Sequence, residues 1–176
     1  MRASLSVIAI LLTCCLTLQA ADNAALNAKV KEDVNKINNA IIEGKFETVV
    51  DLMYPPAVQA AGGREPMLRL METGKQNMNK QGFSFQNATV AEPSAPIAGG
   101  EKWFLTVPFD LTMKVPGGTL KSQSYLIGIS NDQGQNWSYL NGTEDVQGLK
   151  KLVPDLPETL KLPARKQPQF TPDAKE

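Results

Sequence analysis

KWFLTVPFDLTMKV, residues 102–115, is the stretch on which the architecture turns. Trp103, Leu105, Val107, Phe109, Leu111, Met113 and Val115 alternate with Lys102, Phe104, Thr106, Pro108, Asp110, Thr112 and Lys114. Such alternation puts one side-chain row on each face of a β-strand, here one apolar and one mostly polar. A shorter strand is expected over residues 83–90, and residues 93–100 read as a loop from their prolines and glycines. Two more strands are expected at 119–130 and 135–141.

The turns set an expected register. Pro116-Gly117-Gly118 and Asp132-Gln133-Gly134 each suit a three-residue hairpin loop closed by a left-handed glycine. Those loops place Val115 opposite Thr119 and pair Phe109 with Tyr125, Val107 with Ile127 and Leu105 with Ile129. The second loop sets Ile129 opposite Trp137 and Ile127 opposite Tyr139, so the expectation is a three-stranded antiparallel meander with one shared apolar face. A slip of one residue in either turn would send one strand's set to the other side.

Helices come first in the chain. Over residues 24–43, Leu26, Val30, Val34, Ile37 and Ile41 recur at steps of three and four, which predicts an amphipathic helix. Gly44 interrupts it, and Phe46, Val49, Val50 and Met53 form a second helical pattern that Tyr54-Pro55-Pro56 stops. A third helix is expected after Gly62-Gly63, with Pro66 in its first turn, running through Met67, Leu68, Leu70, Met71 and Met78 to Gly82. After the sheet, Thr143 is expected to cap a short helix holding Val146, Leu149 and Leu152. Residues 154–176 read as a proline-rich extended tail, with Leu156, Leu160 and Leu162 pinned to the body and the last ten residues loose. The expected fold class is therefore α+β: N-terminal helices on a curved, cone-like antiparallel sheet, then a short helix and an extended tail.

Residues 1–20 carry Arg2, an apolar run over 5–12 and the small-residue exit Leu18-Gln19-Ala20, the three zones of a cleavable export signal. The run is too short to span a bilayer. Lipidation at Cys15, giving a membrane-anchored lipoprotein, is the alternative; Thr13 and Cys14 replace the small residues that normally precede a lipidated cysteine. Cleavage leaves about 156 residues, enough for one domain over 21–153 plus the tail. Both cysteines lie in the signal, so stability is expected from packing and not from disulfides. Zero net charge with interspersed acids and bases argues against nucleic acid. The chain has no histidine, which removes the usual general base and the commonest metal ligand, and no cofactor or metal is expected.

The long first helix, the 46–53 helix with its Tyr54-Pro55-Pro56 stop, the Gly62-Gly63 helix and the three strands between Trp103 and Asn141 resemble the nuclear transport factor 2-like superfamily, which includes SnoaL-like domains. The likeness covers roughly residues 24–142, by pattern and not by an invariant motif. Gly62-Gly63-Arg64-Glu65 with Gln81-Gly82-Phe83 is similar to a group of exported bacterial proteins of unassigned function, and a cystatin-like domain is the nearest fold alternative. The resemblance implies a cone with a pocket at its open end; it implies no activity, because the scaffold hosts enzymes, binders and assembly modules.

The expected register places Lys121 and Gln123 on the inward face near the hairpin tip, with Phe109, Leu111, Tyr125 and Tyr54 as pocket walls. The plainer reading is a hairpin end overhanging into water. Enzymes that this fold resembles direct an Asp, His or Tyr into the cone. Asp110 has the opposite parity, while Tyr125 and Tyr139 point inward and read first as packing. Phe104, Pro108, Leu126 and Leu140 gather on the outer face, either as a homodimer surface or as a seat for the tail leucines. Asn87-Ala88-Thr89, Asn136-Trp137-Ser138 and Asn141-Gly142-Thr143 match the short N-glycosylation pattern, and 131–136 reads as a turn and not a calcium loop. The expected function is an exported, non-catalytic domain, periplasmic or extracellular, that binds a small apolar ligand or a protein partner. The alternatives are an enzyme of the same fold using non-histidine acids and bases, for which an acid and a tyrosine converging inside the cone would speak, and a structural envelope protein.

Overall fold

Apolar residues spaced at three and four along the first helix need a surface to cover, and the sheet provides it. The computed structural model describes residues 6–143, 145–164 and 166–174, with backbone alone over 6–22. The export signal and the lipidation position Cys15 therefore fall where no side chain is described. Helix α1 (Ser6–Glu43) buries Val30 and Val34 completely, with Ile37 and Ala40 nearly so. Gly44 ends it at φ +83°, and the N–H groups of Gly44 and Lys45 both donate to the Ala40 carbonyl.

Helix α2 (Phe46–Leu52) adds Phe46 and Val49 to the same core. The expected stop at Tyr54-Pro55-Pro56 does end α2, but the same prolines start a further short helix, α3 (Pro55–Ala60). Proline suits a first helical turn, where its missing N–H has no partner to lose. Helix α4 (Arg64–Lys80) follows Gly62-Gly63 as expected. The helical layer thus has one element more than its spacing alone suggested.

The sheet comprises β1 (Ser84–Val90), β2 (Ile97–Gly99), β3 (Lys102–Val115), β4 (Gly118–Ser130), β5 (Ser138–Asn141) and β6 (Gln169–Pro172), all paired antiparallel. The order is β1-β3-β4-β5, with β2 on β3 and β6 on β4. Strand β2 corrects the loop reading of residues 93–100, and β6 corrects the expectation of ten loose terminal residues.

The register of the central hairpin differs from expectation by one residue. Val115 faces Gly118, so the connection is the two-residue turn Pro116-Gly117, with Gly117 at φ +79°. Proline followed by a left-handed glycine is the residue pattern of a type II turn. Phe109 therefore pairs with Ser124, Val107 with Leu126 and Leu105 with Gly128. The next register shifts likewise: Gly128 faces Tyr139 and Ile127 faces Leu140, across a longer turn in which Gln133 and Gly134 both have positive φ. That turn is organised by Asp132, whose carboxylate accepts from the Asn136 backbone and side chain at 2.8 and 2.7 Å and from the Ser130 hydroxyl at 2.8 Å. Those bonds, the Asn136 backbone first, hold its carboxyl down at about 2.

Both shifts act on β4 alone and turn its side chains over. Leu105, Val107, Phe109, Trp137 and Tyr139 do share the helix-facing side, joined by Leu126. Tyr125, Ile127 and Ile129 lie on the opposite side with Phe104. The physical reason is close packing on the inner side. A Cβ at Gly128 would sit 2.8 Å from Leu105 Cδ1 and 3.1 Å from Trp137 Cε3, so there is no room there for Ile127 or Ile129.

The outward set is covered by the C-terminal segment. Helix α5 (Val146–Leu152) is capped by Asp145, which accepts from the Gly148 N–H at 2.8 Å; Thr143, the expected cap, instead accepts from the Asp145 N–H at 3.1 Å. Leu149, Val153, Leu156 and Leu160 then pack on Tyr125, Ile127 and Ile129, with Leu162 alongside as expected. The outer face that could have formed a homodimer surface is thus occupied by the chain's own tail, and Leu126 has left it for the helix side. Near its end the chain pairs with β4 as β6, tied by the Lys114–Asp173 ion pair at 2.7 Å.

A sheet buried on both sides makes an unusual demand of neighbouring residues. Leu126→Ala and Ile127→Ala should each destabilise the protein by about 2–5 kcal/mol in urea unfolding. One near-neutral member of the pair would show that β4 has only one buried face.

Candidate functional site

Inner-face positions on β4 are small, and α1 does not fill all the space they leave. A partly open pocket of about 140 Å³ lies between α1 and the sheet, lined by Ile37, Ile41, Phe85, Phe109, Leu111 and Leu126. Ala88, Ser124, Ile42, Asn38 and Asn141 complete the wall, and none of these side chains is ionisable. The sheet explains the way in. Strand β5 pairs with Leu126–Ile129 and β6 with Gly118–Lys121, so neither strand pairs with residues 122–124 of β4 on that edge, while the Tyr125 carbonyl accepts from the Gly142 N–H at 2.9 Å. Ser124 and the exposed Asn141 stand beside this gap.

Asn38 is the polar exception inside the core. It is 5 % exposed, and its Nδ2 has no hydrogen-bond partner among the described residues. An unsatisfied buried donor costs about 1–3 kcal/mol. Its position follows from helical spacing, one turn beyond Val34 on the stripe that also carries Val30, Ile37 and Ile41. A polar residue on an apolar stripe was the available signal for it.

The five expected pocket residues divide between the two faces. Phe109 and Leu111 line the cavity. Tyr125 does not, because the register turns it outward, where its hydroxyl donates to the Thr143 carbonyl at 3.3 Å. Gln123 turns outward with it, is exposed, and donates to Asp110 at 2.9 Å. Together with Asp110 and the exposed Lys121 it lines a polar cleft of about 420 Å³ beneath the tail. Tyr54 packs with the outer cluster, its N–H donating to the Tyr139 carbonyl at 2.8 Å and its hydroxyl accepting from Lys102 at 3.5 Å. Lys102 also pairs with Asp155 at 2.9 Å, and that bond is the main cause raising its pKa.

An acid and a tyrosine do converge on the helix side. Tyr139, 2 % exposed, donates its hydroxyl to Asp33 at 3.0 Å. Burial first, then the Asp33 charge and hydrogen bond, push the phenol up from its ordinary value, so it keeps its proton. Neither residue belongs to the wall of the apolar cavity. A cleft of about 950 Å³ is a furrow along the polar flank of α1, where Lys31 pairs with Glu92 at 2.9 Å and Asn27 donates to the same carboxylate. Its groups are solvated and partly satisfied by one another. Among the described residues no three Cys, Asp or Glu side chains converge as a metal site. No described helix is long and apolar enough to cross a membrane.

These features define the class as α+β, with N-terminal helices on a six-stranded antiparallel sheet and a short C-terminal helix, an architecture compatible with a nuclear transport factor 2-like fold. No family model, no curated protein and no solved structure matches the chain.

If Asn38 serves a ligand and not the fold, removing its amide should help the empty protein. Asn38→Leu should raise the unfolding free energy by about 1–3 kcal/mol in chemical denaturation. A loss of stability of that size would mark Asn38 as a structural residue.

Proposed function

We propose that the chain is an exported, non-catalytic domain of nuclear transport factor 2-like type that binds a small apolar ligand between α1 and the sheet. One observation carries the binding reading: a partly open, largely apolar pocket of about 140 Å³ lined by Ile37, Ile41, Phe109, Leu111 and Leu126. Small-molecule sites are concave and mostly apolar, and the stretch 122–124 of β4, which neither β5 nor β6 pairs, stands next to this one. Export is supported by Arg2, the apolar run at 5–12 and Leu18-Gln19-Ala20, with a lipoprotein anchored at Cys15 as the alternative.

Ligand that binds only the folded state stabilises it, by about 2.7 kcal/mol at a hundred times Kd. A panel of small uncharged ring compounds should therefore raise the melting temperature of the wild type. Ala88→Leu, which fills the cavity, should abolish that rise. No shift with any member of the panel, or a shift that survives Ala88→Leu, would contradict the proposal. Protein recovered after export should begin at Ala21 by intact mass, whereas a lipid on Cys15 would replace that part of the reading.

The Asp33–Tyr139 pair is the observation favouring an enzyme. Burial raises the phenol's pKa and makes it a weaker acid, so proton transfer there would need a bound substrate to change that environment. Turnover lost in Tyr139→Phe with ligand binding intact would establish that second reading.

A further inference from the structure

We propose a second ligand site on the opposite face of the sheet, independent of the apolar pocket. The polar cleft of about 420 Å³ beneath the tail binds a sugar acid, a small polyhydroxylated molecule with one carboxylate. Its floor follows from the strand register. Asp110 stands between Thr89 and Gln123, and Thr112 between Asn87 and Lys121. Cross-strand partners share a face, so β1, β3 and β4 present two rows of three polar side chains there. Toward the open end of the β3–β4 hairpin the same face is apolar, and Phe104, Ile127 and Ile129 pack with Leu149, Val153 and Leu156. The tail contributes Lys166, Gln167 and Gln169 to the cleft and is fixed on either side of the first two, by Leu160 in the outer cluster and by β6 on β4. A cleft held open in this way needs little ordering to receive a guest.

The guest's chemistry is read from the lining. The volume falls within the range of small-molecule sites, about 300–1,000 Å³. Lys121 and Lys166 outnumber Asp110, whose carboxylate already accepts from Gln123 at 2.9 Å, and that balance favours one negative charge on the guest. Among the described residues no hydrogen bond or ion pair engages the side chains of Asn87, Thr89, Thr112, Lys121 or Lys166. Carboxamides and hydroxyls both donate and accept, as the hydroxyls of a sugar do. No aromatic ring lines the cleft among the described residues, so an aromatic acid would find no stacking partner.

The test titrates D-glucuronate, D-galacturonate, D-glucose and acetate into the full chain, followed by amide NMR. At least one of the two sugar acids should shift the backbone amides of Thr112, Lys121 and Gln123. It should bind at least about tenfold more tightly than glucose or acetate, each of which carries only part of the recognised chemistry. Combining Lys121→Met with Lys166→Met should weaken that sugar acid by about tenfold and leave the urea midpoint unchanged. Ala88→Leu, which fills the apolar pocket, should leave it unaltered, so the two sites are tested separately. Acetate binding as tightly as the sugar acid would reduce the cleft to a patch of positive charge and overturn the proposal. So would shifts confined to other parts of the chain, undiminished binding in the double variant, or no saturable shift with either sugar acid.

Discussion

The inner face of β4 admits Leu105 and Trp137 only because Gly128 carries no side chain. A Cβ at Gly128 would sit 2.8 Å from Leu105 Cδ1 and 3.1 Å from Trp137 Cε3, and Leu126 of β4 joins the buried helix-side core. Tyr125, Ile127 and Ile129 then need cover on the other side. The segment from Leu149 to Leu160 supplies it, which makes the C-terminal region part of the core and not an appendage. Helices, sheet and C-terminal segment are therefore three layers, each burying what the next exposes.

The cavity is a by-product of the same arrangement. Toward the hairpin tip the inner face continues with Phe109, Leu111 and Ser124, and α1 answers with Ile37, Ile41 and Asn38. These groups line a partly open space without filling it, next to residues 122–124 of β4, which neither β5 nor β6 pairs. An apolar pocket left open to water and a buried donor without a partner each lower stability, and neither helps folding. Such departures from good packing are where function is to be sought.

Much of this was legible in the residues. Spacing of three and four placed α1 with its buried stripe, and strict alternation placed β3 with Leu105, Val107 and Phe109 facing the helices. The register of β4 was not legible for a physical reason: it is apolar at both parities, with Leu126 and Ile127 side by side, so hydrophobic pattern fits either face. The turn then had to decide, and Pro-Gly-Gly admits a two-residue as well as a three-residue loop. One residue there moved Tyr125 and Gln123 out of the expected pocket and left Phe109 and Leu111 in it. Strands β2 and β6 escaped notice because each is short and recruited by the edge of a long neighbour and not by its own pattern. Asn38 was hidden by the opposite bias, since a stripe is read by its apolar members.

Register can be observed directly across β3 and β4. Backbone nuclear Overhauser contacts in isotope-labelled protein should join Leu105 to Gly128, Thr106 to Ile127 and Val107 to Leu126. Contacts joining Leu105 to Ile129 and Val107 to Ile127 instead would return Ile127 and Ile129 to the helix side, leaving the C-terminal layer nothing to cover and the cavity no room.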